Sequence, residues 1–177
     1  TVFAFYNFSK PIQNRKFVFN LGGNVTYNNN VSFLNSEKNK GTNWIAGQRF
    51  ATDIKIKKWL ETTLGVNYSL NSNKYSLQKE LNSDATGWTF SNSTRLFLPG
   101  NWKFNYELDK TINSGFASNV NTDPLIINAT LEKGLFKKQN ASIKLQAFDL
   151  LNQNTSVNRS VTGSAITDTR TNRLGRY

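Results

Sequence analysis

The chain has 177 residues, carries 22 Lys and Arg against 11 Asp and Glu for a net charge of +11, and contains no His, Cys or Met. Without His or Cys, imidazole-relayed nucleophiles, thiolate ligands and disulfides are excluded, so no catalytic residue, metal site or cofactor is expected. A mean hydropathy of −0.53 and no run of about 18 apolar residues exclude a helical membrane protein, but not strands that meet lipid at every second residue.

Residues 1–9 alternate Val2, Ala4, Tyr6 and Phe8 against Phe3, Phe5 and Asn7, which predicts a strand apolar on both faces. Pro11 and Asn14 mark a short connection. A second strand covers 16–27, and the polar run beginning at Asn28 predicts a long loop over 28–41. The clearest pattern follows. Trp44, Ala46, Phe50, Ile54 and Ile56 share one face against Arg49, Asp53 and Lys55; beyond Lys57 and Lys58, Leu60, Leu64, Val66 and Leu70 repeat it against Glu61 and Asn67. Each arm keeps its alternation for about 10–13 residues, twice an ordinary strand and enough for a tilted crossing of a bilayer.

A second long loop is expected over 71–84. The strand 85–97 puts Trp88, Phe90 and Leu96 on one side together with two polar residues, Asn92 and Thr94. Pro99 and Gly100 form a turn. Trp102, Phe104, Tyr106 and Leu108 then alternate with Lys103, Asn105, Glu107 and Asp109. A third loop spans 111–123, a hairpin follows through Leu125–Leu131, the turn 136–140 and Ile143–Ala147, and the remainder beyond Asn152 reads as an irregular Ser/Thr/Asn/Arg segment. Short turns near Asn14, Lys57, Gly100 and Lys138 alternate with long connections.

The expected fold is therefore all-β, an antiparallel up-and-down transmembrane β-barrel, with 1–177 forming one segment of about eight strands from a larger barrel. With no Met and no terminating element after Tyr177, the sequence reads as a piece of a longer protein. Trp44 and Trp88 beside long loops, and Trp59 and Trp102 beside short turns, are candidate membrane-interface aromatics; strict alternation puts Trp59 on the lumen side. The candidate lumen-facing charges are Arg49, Asp53, Lys55, Glu61, Lys103, Glu107, Asp109, Glu132 and Lys144, with signs mixed for cross-strand pairing. Asp53/Glu61 and Glu107/Asp109 fail as acid–base pairs because lysines surround them and no pocket is implied. The basic excess falls largely in turns, which suits lipid headgroups better than nucleic acid.

Residues 148–154 read Phe-Asp-Leu-Leu-Asn-Gln-Asn, followed by Asn158-Arg159, Val161-Thr162-Gly163 and the run 168–177 ending Arg-Leu-Gly-Arg-Tyr. This end resembles that of TonB-dependent receptor-like outer-membrane β-barrel proteins of Bacteroidetes. The resemblance implies a nutrient transporter lacking here its plug domain, which would precede Thr1, and its final strand, which would follow Tyr177. It also implies outer-membrane lipid, the plug, the remaining strands, TonB-type energy coupling and a surface lipoprotein as partners, and no enzyme activity. The residues alone leave open a small complete outer-membrane barrel, a soluble β-sandwich binding glycans or surfaces through Asn-rich loops, and a basic nucleic-acid binder.

Overall fold

Period-two alternation becomes a single curtain of strands in the computed structural model, which describes residues 1–119, 122–136, 140–162 and 165–172. Eight strands pair antiparallel in chain order: β1 (Val2–Ile12), β2 (Phe17–Leu34), β3 (Glu37–Lys57), β4 (Leu60–Tyr75), β5 (Ser83–Leu98), β6 (Trp102–Ser114), β7 (Leu125–Leu135) and β8 (Ala141–Ala147). The sheet is open. β1 and β8 are its unpaired edges, and β9 (Thr155–Thr162) with β10 (Ala165–Asn172) forms a separate hairpin.

The register carries the information that sets the tilt. One row of partners runs Ile12, Phe17, Ile54, Thr62, Thr94, Tyr106, Ala129, Ala147. Relative to that row, the first short turn begins at the row itself, the second two to three residues beyond it at Lys57/Leu60, the third four beyond at Leu98/Trp102 and the fourth six beyond at Leu135/Ala141. The step is one residue per strand. With about 3.3 Å of rise and about 4.8 Å between strands, that shear inclines the strands by about 35° to the axis they would wind around. A membrane barrel needs that inclination.

No dry core forms. Phe50, Ile54, Leu64, Val66, Phe104 and Ile127 lie on one face, none is buried, and Phe50 and Leu64 keep 43% and 44% of their surface. Among the described residues the only buried hydrophobic side chains are Ala51, Tyr75 and Ala85. A β-sandwich would set a second sheet against this face, and the described residues place none there. Three polar residues on the apolar face satisfy one another: Thr62 and Thr94 hydroxyls lie 2.7 Å apart and Asn92 Nδ2 donates to Thr62 Oγ1 at 3.1 Å, whereas the buried Thr52 hydroxyl finds no partner among the described residues.

Several connections differ from the sequence reading. Residues 28–41 are not a loop: β2 and β3 run on to a two-residue turn at Asn35 and Ser36, which have φ of 50° and 67°. Asn and Ser accept that left-handed geometry, and the strands turn polar there because they have left the apolar band. β4 likewise reaches Tyr75 and β5 starts at Ser83, leaving a short connection with a 3₁₀ turn at Lys79–Leu81, and β6 continues to Ser114. The segment beyond Asn152 contains a hairpin whose strands are mostly polar, with Val157, Val161 and Ile166 sharing a face with Arg159 and Asp168, too sparse an alternation to read. The middle of the turn 136–140 and the end 173–177 lie outside the described residues.

Asp149 explains the shape of the 148–154 run. Its buried carboxylate accepts the amides of Gln153 at 2.8 Å and Asn154 at 3.1 Å, its own amide donates to Asn128 Oδ1 at 2.9 Å, and Gln153 Oε1 accepts the amide of Leu125 at 3.0 Å. The turn thus ties the end of β8 to the start of β7. Replacing Asp149 with Ala leaves two part-buried amides without their acceptor and is expected to cost about 1–2 kcal/mol; urea unfolding of the protein in micelles, read by tryptophan fluorescence, checks the loss.

Candidate functional site: the polar face and its rim

All nine sequence-nominated charges fall on the face opposite Phe50 and Leu64, because each is an odd number of residues from an apolar-face position on its strand. Near the short turns they pair. Glu61 bridges Lys55 at 3.3 Å and Arg95 at 3.5 Å across β3, β4 and β5, and Lys103 meets Glu132 at 3.3 Å across β6 and β7. Arg95 was missed because its strand carries so much Ser and Thr that its charge reads as incidental. These pairs are water-exposed and hold little stability singly; their role is to fix the charge pattern of the face.

Asp53 is held by hydroxyl and amide donors, Thr63 Oγ1 at 2.6 Å and Asn20 Nδ2 at 3.2 Å. Arg49 is different. Its guanidinium has no hydrogen-bond or ion-pair partner among the described residues. Glu107 and Asp109 stand three strands away on β6, and Lys144 lies on β8. Towards the far end of the same face, amides replace charges: Asn43 Nδ2 donates to Asn71 at 2.8 Å and Asn73 at 2.7 Å, and Asn28 donates to Asn43 at 3.2 Å.

Removing the one-residue stagger brings the aromatics to two levels. Tyr27, Trp44, Tyr68 and Trp88 fall within three residues of one another in height, with Tyr27–Trp44 and Tyr68–Trp88 ring centroids each 4.7 Å apart. About ten residues below them, Trp102 lies under the Lys133 ammonium at 4.9 Å from its centroid. At about 3.3 Å per residue and about 35° of tilt the levels are roughly 27 Å apart, the height of a bilayer's apolar band. Trp59 shares the lower level and sits in the two-residue turn between β3 and β4, where its carbonyl accepts the Phe97 amide at 2.8 Å.

Beyond the upper aromatic level, the β9–β10 hairpin docks on the rim. Arg159 donates from Nε and Nη2 to the two Asp168 carboxylate oxygens at 2.7 and 2.8 Å, from Nη1 to Ser83 Oγ at 3.3 Å and from Nη2 to the Gly115 carbonyl at 2.7 Å; its guanidinium covers the Phe116 ring. Asp168 also accepts the Ala117 amide at 2.7 Å. Both charged side chains are enclosed, at 5% and 8% exposure. Ser83 points to the polar face, so the hairpin reaches the rim from that side.

A family model described as the outer membrane protein beta-barrel family matches residues 1–177. No curated protein and no solved structure matches. The chain belongs to the outer membrane protein beta-barrel family, and its place is the outer membrane.

The Arg159 hydrogen bonds hold the Asp168 carboxyl below the ordinary 3.8, against the opposing effect of burial. A depressed carboxylate contributes docking strength that is complete above the unfolded value and lost as pH falls through the folded one. The protection factor at the Ala117 amide, its exchange rate relative to the intrinsic rate at each pH, should therefore be unchanged from pH 7 to pH 5 and fall only below about pH 4. Asp168→Asn should expose that amide at neutral pH, since stripping an enclosed cation of its partner costs about 3 kcal/mol.

Proposed function

We propose that this outer-membrane chain is a section of the wall of a TonB-dependent receptor-like nutrient transporter, with its apolar face against lipid and its polar face lining the lumen around a plug domain. The observation that carries the reading is the uniform one-residue stagger of a sheet whose β1 and β8 edges are both unpaired. Hydrocarbon does not tolerate open edges, and further strands on either side would complete the wall. The 148–154 run supports the receptor-like assignment, and TonB-type coupling and a surface lipoprotein at the rim beyond the upper aromatic level come with it.

A small complete barrel is the second reading, favoured by the strand number, since eight strands suffice to close one. Closure with the same stagger would set Phe8 beside Ile143 on the lipid face, by extending the registers of β1 and β8 once around. The chain has no native cysteine, so a Phe8→Cys/Ile143→Cys pair is a clean probe. An intramolecular cross-link supports the small barrel; its absence in folded protein supports the larger wall.

Orientation of the faces has its own test. Leu64→Arg puts a cation at mid-height on the apolar face and should cost about 2–4 kcal/mol, whereas Ser91→Arg, at similar height on the polar face, should cost little. Unfolding in liposomes, followed by heat-modifiable gel migration, measures both. Equal losses would reverse or abolish the assignment.

A further inference from the structure

We propose that the polar face carries, at its mid-height, a binding site for a hydroxylated ring compound bearing an oxyanion, an acidic saccharide, centred on Arg49. The inference rests on the reading of this face as the water-filled side of the wall.

Arg49 stands alone. The acids able to neutralise it, Glu107 and Asp109, are three strands away, and the nearer Asp53 is already engaged by Thr63 and Asn20. Its immediate neighbours along and across the strands are Gly47, Ala51, Gly22 and Asn67, with Gly65 on the diagonal. Arg49 and its small neighbours Gly22, Gly47 and Ala51 line part of a concavity of about 670 Å³. An unpaired guanidinium in such a bowl offers a rigid fork of donors suited to a carboxylate or sulfate.

The walls supply the rest of the recognition. Asn7, Asn20, Asn24 and Asn67 ring the concavity, and each amide both donates and accepts, which matches hydroxyl groups. Beside them, Phe5 is the anomaly of the face: it is 75% exposed where its row is otherwise Asn, Gly and Ser, and it stacks on Phe3 at 5.8 Å. With the stagger removed, Phe5 and Arg49 stand at the same height. Two strand spacings and two residues separate them, roughly 12 Å between Cα atoms. A short oligosaccharide spans that gap, with an apolar ring face on Phe5 and its acid at Arg49.

The test uses the full-length protein purified in detergent and trigalacturonate as probe, with its neutral methyl ester and triglutamate as comparisons, by titration calorimetry. The acid should bind about tenfold or more tightly than the ester, the difference expected of a charged, bidentate contact. Arg49→Gln should remove that difference. Gly22→Val should weaken both, since a Cβ there meets only atoms at 3.6 Å and beyond and the added bulk enters the bowl without displacing backbone. Acid and ester binding alike, wild-type affinity in Arg49→Gln, or no saturable binding at millimolar probe would overturn the proposal. So would triglutamate binding with the same Arg49 dependence, which would assign the bowl to acidic peptides. Failure of the underlying reading shows separately: Asn67→Cys in liposomes should react with a water-soluble maleimide, and reaction only with a lipid-soluble one would refute the face assignment itself.

Discussion

A backbone amide in hydrocarbon has no water to bond, so it must find a carbonyl in its own chain or a neighbouring one. The sheet meets that demand with ladders running unbroken from β1 to β8, apart from one irregularity between Ile54 and Lys57. Once the ladder is fixed, everything else is dictated by its period. A residue's face follows from its parity, and its height from its row less the one-residue step. Two integers per residue therefore place Trp88 at the upper aromatic level of the apolar face and Arg49 at mid-height on the opposite side.

The two faces handle polar groups by different rules. On the apolar side a polar atom has only protein to bond, and Thr62, Asn92 and Thr94 accordingly close on each other. Tyr6 and Gln48 do the same across β1 and β3, the tyrosine hydroxyl donating to the amide oxygen. On the polar side water is available, so charges can pair or stand apart without collapse of the structure. The chain uses that freedom unevenly: pairs at the short-turn end, amides at the other, and in between a cation on β3 with acids on β6.

How much of this the sequence discloses depends on where the period changes. Between the aromatic levels, alternation was strong enough to assign faces for Arg49, Lys103 and Glu132, and the turns at Asn14, Lys57 and Gly100 could be read from their residue types. Beyond the upper level both faces of β2 and β3 meet water, polarity no longer alternates, and strand residues 28–34 look like loop. The β9–β10 hairpin gave no signal at all; its partners are Ser83, Gly115 and Ala117, long-range contacts that no local pattern encodes. The isolation of Arg49 was equally invisible, since it depends on registers that bring glycines alongside from β2.

The rim obeys a logic opposite to that of the wall. A strand within the sheet is held on both sides by many weak, equivalent bonds, and loss of any one side chain leaves the ladder intact. The β9–β10 hairpin shares no ladder with the sheet, so its position depends on a few strong contacts, above all one enclosed guanidinium that reaches a carboxylate, a hydroxyl and a carbonyl at once. Such a contact is costly to bury and costly to break, which makes it selective for one geometry. Where the wall needs only the right parity at each position, the rim needs Arg159 and Asp168 at one place. The Asn158-Arg159 and Asp168 positions in the 148–177 run make physical sense as the points that hold a mostly polar hairpin against the mouth of the sheet.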